Sequence, residues 1–153
     1  MPRMVRVFWA VLLSFPLMMA ALSLRANPTL TDARALVLKA ADDLSAKGLQ
    51  GACSDFSQKP GPYWVGEVYV FVLSQDGIWE CYPPKPSAAG LSLLSLTDVD
   101  GKAFVREMIS VAKAHGEGVV DYKWKNPVNG LIQLKTSFVK MVNGHIVAAG
   151  VFK

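Results

Sequence analysis

The sequence predicts an α+β fold in which two helices cover one five-stranded antiparallel sheet. Two observations lead to this prediction. Apolar residues repeat at helical spacing in two segments and alternate with a period of two in most of the others. An Asn-Gly pair at 143–144 lies between two apolar runs, and such a pair is the strongest short signal for a hairpin, because a type I′ turn needs positive φ at both central residues. The predicted order is helix, two strands, helix, three strands.

Residues 1–26 have the pattern of a secretory signal and are predicted to lie outside the fold. Two arginines precede an almost wholly apolar run at 7–24, and small residues follow at its end. Cleavage is expected after Ser23 or after Ala26, which gives an exported protein that is periplasmic or secreted. The alternative is an uncleaved segment that tethers the protein to the membrane, because about 18 apolar residues can span a bilayer.

Removal of this segment changes the charge of the chain. The whole sequence carries 16 basic and 12 acidic residues, a net charge of +4. All three charged residues in 1–26 are arginines, so 13 basic residues remain against 12 acidic ones, a net charge of +1. The basic balance therefore gives no support for nucleic-acid binding. Residues 27–153 are enough for one domain with one core.

The first helix of the mature chain is predicted over 28–48. Thr29 and Asp32 have capping-box spacing, and Gly48 is a typical helix stop. The second helix covers 104–115 and lies between strands 2 and 3, with Asp98 or Asp100 as its amino-terminal cap. One face of each helix is apolar, through Leu30, Ala33, Val37, Ala40 and Leu44 in the first and Phe104, Met108 and Val111 in the second.

Five segments have the alternation or the residue types of strands. In the segment 67–74 both sides of the strand are apolar, which predicts burial on both faces of the sheet. Three prolines between 83 and 86 prevent further pairing, so 83–97 is expected to cross as an irregular connection. The predicted strands are 67–74, 78–82, 118–124, 131–142 and a last one that ends at Phe152.

Cys53 and Cys81 are the only two cysteines. In an exported protein two cysteines most often pair, so a Cys53–Cys81 disulfide is predicted. The alternative is two buried thiols.

No metal, cofactor or catalytic pattern is recognisable. The two histidines are far apart in sequence, which gives no zinc spacing. Asp98, Asp100, Gly101 and Glu107 resemble part of a calcium loop, but its first position would be Leu96. A nucleophile elbow, a Gly-rich phosphate loop and a Cys-x-x-Cys pair are missing too. We therefore predict that the protein is not an enzyme, holds no metal and uses no cofactor.

A group of aromatic and polar residues on the predicted strands is a candidate binding site. Core packing accounts for most strand aromatics, but the polar atoms of buried tyrosine and tryptophan need partners. Rings with one ammonium and one hydroxyl suit a small carboxylate. The candidate ligand-binding residues are Trp79, Tyr82, Tyr122, Trp124, Lys135 and Ser137.

Four short motifs give the segment from about Tyr63 to Lys153 a family resemblance. They are Gly-Lys-x-Phe-Val at 101–105, Asp-Tyr-x-Trp at 121–124, Asn-Pro at 126–127 and Lys-Thr-Ser-Phe at 135–138. In this order they resemble the single Cache domain of the second type, an extracytoplasmic sensing module with a PAS-like fold. The resemblance implies a small organic acid bound on the sheet by matching Tyr, Trp and Lys positions. Phe138 stands where tyrosine is common in the family.

The sequence is therefore interpreted as a single Cache domain over 27–153 that binds a small organic acid without catalysis. Relatives of this kind usually carry a membrane helix and a signalling output, and neither is visible in 27–153. A membrane receptor or kinase is accordingly the expected partner. The alternative function is a structural or adaptor domain of the cell envelope, whose pocket is filled by its own side chains.

Overall fold

The computed structural model describes residues 27–153, so the predicted signal segment lies outside the described residues. Within residues 27–153, two α-helices and one short 3-10 helix accompany six strands. The helices are α1 (Leu30–Phe56) and α2 (Phe104–His115), and the strands are β1 (Trp64–Val65), β2 (Val68–Ser74), β3 (Trp79–Cys81), β4 (Glu117–Lys125), β5 (Ile132–Val142) and β6 (His145–Phe152). Across residues 27–153, neither helix is both long enough and apolar enough to cross a membrane.

The strands form one antiparallel sheet with the order β1-β2-β6-β5-β4, and β3 pairs with β2 as well. β1 pairs with the first residues of β2 and β3 with the last ones, so both lie along the same edge of β2. The α+β class and the antiparallel sheet are confirmed. The sheet has six strands instead of five, because the two-residue strand β1 is too short to show an alternating pattern.

Helix α1 begins with the predicted capping box. The Thr29 hydroxyl accepts a hydrogen bond from the backbone N–H of Asp32, and the Asp32 carboxylate accepts one from the backbone N–H of Thr29 at 2.7 Å. The prediction that α1 ends at Gly48 is wrong. Gly48 has φ 70° and ψ 174°, which kinks the helix, but the helix resumes and continues to Phe56. Burial of Ala52 and Phe56 in the core stabilises this second part.

Helix α2 ends as predicted, at Gly116 with φ 76°. Its amino-terminal cap differs from the prediction, because Ala103 is the cap residue and no side chain caps the helix. Asp98 instead accepts backbone N–H bonds from Asp100, Lys102 and Lys123 at 2.9 Å each. These bonds hold the connection before α2 against β4, and they lower the pKa of the Asp98 carboxyl group.

The sheet separates two apolar layers. Helix α1 packs on β2, β5 and β6, over a mainly aliphatic layer that includes Val68, Val70 and Val72. Helix α2 packs on β4 and β5, on the opposite face, where Tyr69, Phe71 and Leu73 of β2 point. Strand β2 is thus buried on both faces, as its sequence predicts.

Candidate functional site

The six predicted binding residues all lie on the α2 side of the sheet or next to it. Alternation along β4 and β5 places Tyr122 and Trp124 on this face, together with Lys135 and Ser137. Trp79 comes from β3, and Tyr82 follows β3 directly. We call this group of rings and polar atoms the aromatic chamber. Its members are Tyr69, Phe71, Trp79, Tyr82, Phe104, Tyr122, Trp124, Lys135, Ser137 and Phe152.

Trp79, Tyr82 and Trp124 form one wall of the chamber. The rings of Trp79 and Tyr82 stack with centroids 4.3 Å apart and planes inclined by 17°. The indole Nε1–H of Trp124 donates a hydrogen bond to the Tyr82 hydroxyl at 3.1 Å. Both polar atoms therefore have the partner that partial burial requires.

Tyr122 and Ser137 form the floor. The hydroxyl groups of the two residues are 3.0 Å apart and share one hydrogen bond. The Tyr122 ring stacks on Phe104 of α2, with centroids 4.3 Å apart and nearly parallel planes. Burial raises the pKa of Tyr122, so its hydroxyl stays protonated and can donate a hydrogen bond at neutral pH.

Lys135 is the one charged residue that is fully buried among residues 27–153. Its Nζ lies 3.9 Å from the centroid of the Tyr69 ring, 4.9 Å from that of Phe152 and 5.3 Å from that of Phe71. No described residue accepts a hydrogen bond from this ammonium. Burial lowers the pKa of Lys135 to about 7, an effect that the nearby carboxylate of Glu67 partly opposes.

Four members of the chamber are not among the predicted binding residues. Tyr69 and Phe71 belong to the aromatic side of β2, Phe104 is the first residue of α2, and Phe152 is the last residue of β6. The spacing of Tyr69 and Phe71 shows that the two rings share a face of β2, but it does not show that Lys135 contacts this face. That contact depends on the neighbouring positions of β2, β6 and β5 in the sheet.

A cleft of about 550 Å³ opens beside the wall formed by Tyr82 and Trp124. Its volume falls in the range of small-molecule sites. Lys135 does not line it, because aromatic rings cover the ammonium. The lining residues are Tyr82, Pro84, Lys85, Thr97, Asp98, Val99, Lys123, Trp124, Lys125, Pro127 and Ile132.

Cys53 and Cys81 lie close together where the second part of α1 meets β3. Cys81 Sγ is 3.9 Å from the carbonyl oxygen of Cys53, and Cys53 Sγ is 3.8 Å from that of Glu80. Both are free thiols in this structure, so the predicted disulfide is not formed in it. Contact between the thiols lowers the pKa of Cys53 and raises that of Cys81. The structure confirms their proximity, and the disulfide stays a prediction.

The structure is thus an α+β domain with one helix on each face of an antiparallel sheet and the aromatic chamber on the α2 face. The chain belongs to the Cache domain family, whose family model matches residues 31–150. Members of this family are extracytoplasmic sensory domains and not enzymes, which confirms the predicted class.

Two curated relatives support this assignment over part of the chain. The sensor histidine kinase MctS of Rhizobium johnstonii is 38% identical over 86 residues, which cover 55% of this chain and 18% of the kinase. The methyl-accepting chemotaxis protein McpP of Pseudomonas putida is 30% identical over 73 residues, 46% of this chain and 13% of the receptor. The matched segments thus span less than a fifth of either relative.

Solved structures have the same fold. A methyl-accepting chemotaxis protein from Vibrio parahaemolyticus superimposes with a TM-score of 0.70 at 16% identity, covering 80% of this chain and 86% of that one. A structure described as showing carboxylic acid recognition by a Cache chemosensory domain has a TM-score of 0.63 and 26% identity. It covers 76% of this chain and 83% of that one. The first match concerns the fold alone.

Proposed function

We propose that this Cache domain binds a small organic acid, whose carboxylate pairs with the ammonium of Lys135 inside the aromatic chamber. The observation that carries the proposal is a fully buried ammonium without a hydrogen-bond acceptor among the described residues. Desolvating an unpaired charge costs several kcal/mol, and a carboxylate ligand would offset much of that cost. The resemblance to a carboxylic acid-binding Cache domain supports the same ligand class.

The other chamber residues fit the remainder of such a ligand. Tyr69, Phe71 and Phe152 surround the ammonium with ring faces, which suit a short apolar chain. Tyr122 and Ser137 offer hydroxyl groups that can turn from each other towards a second acid oxygen. Because Lys135 is the single buried cation of the described residues, the proposed ligand carries one carboxylate.

The proposed sensory role includes export and a signalling partner. The two curated relatives are a sensor kinase and a chemotaxis receptor, so we propose a membrane receptor or kinase as the partner that receives the signal. Cleavage of residues 1–26 and pairing of Cys53 with Cys81 belong to the same proposal, since both follow from export.

The test combines a search for a bound ligand with titration. Native mass spectrometry of the purified protein should show an added mass of a small acid, and calorimetry should then detect binding of at least one of acetate, propionate and butyrate. Succinate should bind more weakly, because its second carboxylate would have no cation. Lys135→Met should weaken binding by ~1.5–3 kcal/mol, or tenfold to a hundredfold, since a charge-assisted hydrogen bond is lost. Tyr122→Phe should cost ~1 kcal/mol.

A matched control separates the site from a general loss of charge. Lys113 is exposed on the last turn of α2, so Lys113→Met removes one positive charge outside the chamber. In Lys135→Met the introduced methionine can pack as the hydrocarbon stem of the lysine does, so the fold should persist. If Lys135→Met binds the acid as tightly as Lys113→Met does, the assignment of Lys135 is wrong.

The second candidate function is a structural or adaptor domain without a ligand. One observation favours it: the rings of Tyr69, Phe71 and Phe152 already surround Lys135, which has no exposed surface. In that case native mass spectrometry shows no added mass and calorimetry shows no heat with any of the acids.

A further inference from the structure

The wall formed by Tyr82 and Trp124 separates the cleft from the buried ammonium. On its outer side both residues line the cleft. On its inner side the Tyr82 ring lies 6.0 Å from the ring of Tyr69, and Tyr69 in turn lies 3.9 Å from Lys135 Nζ. A small solute in the cleft is therefore separated from the ammonium by the Tyr82–Trp124 wall and, behind it, the ring of Tyr69.

The wall formed by Tyr82 and Trp124 is closed by contacts that side-chain rotation can break. The hydrogen bond between Trp124 Nε1 and the Tyr82 hydroxyl joins its two halves. Tyr82 precedes Pro83 and Pro84, whose fixed φ angles stiffen its backbone. Trp124 lies near the end of β4, which is the last strand in the sheet order. Opening of this outer wall thus requires the loss of about one hydrogen bond and ring contacts, with little backbone movement.

The outer side of the wall carries more positive than negative charge. Three lysines and one carboxylate, that of Asp98, line the cleft, and one of the lysines, Lys123, pairs with Asp100 at 2.8 Å. Lys85 and Lys125 are exposed and form no salt bridge with any described residue. A cleft lined by cations over low-dielectric walls raises the local concentration of anions.

We propose that the cleft is the entrance by which a small carboxylic acid reaches Lys135, and that the Tyr82–Trp124 contact is its gate. Lys85 and Lys125 attract the acid to the cleft, rotation of Tyr82 or Trp124 opens the outer wall, and the acid then passes the Tyr69 ring to reach the ammonium. The proposal rests on the proposed function of Lys135, but it makes a separate claim, which concerns the rates of binding and release.

Stopped-flow tryptophan fluorescence can measure these rates, since Trp79 and Trp124 belong to the wall. The acid used is propionate, or the member of the acetate, propionate and butyrate set that calorimetry shows to bind. In Lys85→Glu/Lys125→Glu the association rate should fall severalfold at low salt, with an unchanged dissociation rate, and the difference should vanish at high salt. The control Lys39→Glu/Lys113→Glu makes the same charge change outside the cleft and should keep the wild-type rates.

Tyr82→Phe tests the gate, because it removes the acceptor of the Trp124 hydrogen bond and keeps the ring. Both association and dissociation should become faster. If wild type binds an acid but Tyr82→Phe leaves both rates unchanged, or the cleft variant associates as fast as its control, the entrance proposal is wrong and the role of Lys135 stands. If calorimetry detects binding of none of the acids, the proposed function fails, and the entrance proposal fails with it.

Discussion

At the scale of single residues, Lys135 is the side chain whose burial is explained least by contacts within the protein. Contact with the ring of Tyr69 stabilises the ammonium by ~0.5–2 kcal/mol. Removing an ammonium from water costs several kcal/mol, so the rings alone do not offset the cost. An apolar residue of similar length would serve packing better. The proposed carboxylate ligand would offset the remainder of this cost.

The affinity for an acid should depend on pH through this residue. Because burial lowers the pKa of Lys135 to about 7, a growing fraction of the free protein is uncharged above that pH. Only the ammonium pairs with a carboxylate, so affinity should fall by about tenfold per pH unit well above pH 7, with uptake of a proton on binding. Calorimetry in two buffers with different ionisation enthalpies measures both effects. Binding that is independent of pH between about 7 and 9 would contradict the pairing.

The same pKa predicts how the stability of the ligand-free protein changes with pH. The ordinary value for lysine, 10.5, applies to the unfolded chain, while the folded value is about 7. Between these values the unfolded chain binds more protons, so the contribution of Lys135 to the free energy of unfolding rises with pH. Below pH 7 both states are protonated and the contribution is constant. In Lys135→Met this contribution should disappear from urea unfolding curves, whereas Lys113→Met should retain it.

At the scale of elements, the approach of β5 and β6 limits what can occupy position 150. A Cβ atom on Gly150 would lie 2.2 Å from Ser137 Oγ and 2.6 Å from the Thr136 carbonyl oxygen. Gly150→Ala should therefore lower the free energy of unfolding by ~1–3 kcal/mol, and it should displace the Ser137 hydroxyl from Tyr122. Urea unfolding measures the first effect. Gly118→Ala is the control in β4, where the Cβ would meet only the Val111 side chain, with its nearest methyl carbon 2.3 Å away, and the cost should be smaller.

The kink in α1 determines which parts of the fold a disulfide between Cys53 and Cys81 would connect. The part of α1 after Gly48 carries Cys53, and β3 carries Cys81 and Trp79 of the chamber wall. A disulfide here would fix this part of the helix to β3. Because it would close the loop between residues 53 and 81, it should raise the free energy of unfolding by about 3 kcal/mol. Mass spectrometry of the non-reduced, exported protein should show a loss of two hydrogens, which reduction reverses. Labelling of both free thiols in unstressed exported protein would refute the disulfide.

Elements with a strong local period could be predicted from the sequence. Helix α2, the hairpin at 143–144 and the double burial of β2 all follow from patterns within a dozen residues. The errors occur where contacts between residues far apart in the sequence determine the local structure. Gly48 is a valid local stop, yet burial of Phe56 continues the helix beyond it, and Asp98 bonds to β4 instead of capping α2.

The candidate site, too, could be predicted in its local features but not in its long-range contacts. Its residue types and their faces could be predicted, because alternation on β4 and β5 places Tyr122, Trp124 and Lys135 together. The contact between Lys135 and Tyr69 could not, since β6 lies between β2 and β5 in the sheet and the two residues are more than sixty positions apart in the chain.

At the scale of the whole molecule, the two faces of the sheet have different compositions. The α1 face is a layer of valine and alanine with a few larger residues, and it has the character of an ordinary core. The α2 face holds most of the aromatic rings and the buried ammonium. Variants on the α1 face should therefore change stability first, and variants on the α2 face should change binding first.

The whole molecule is predicted to be released from the membrane by cleavage of residues 1–26 on export, and this prediction can be tested. Their basic start, apolar run and small-residue end are typical of a signal that is removed on export. Amino-terminal sequencing of the natively expressed protein should begin at Leu24 or Asn27. Removal of the segment leaves a domain with a net charge of +1, so the mature protein should also separate from the membrane fraction. Recovery of Met1 on membrane-bound protein would instead establish a tethered domain, because the apolar run is long enough to span the bilayer.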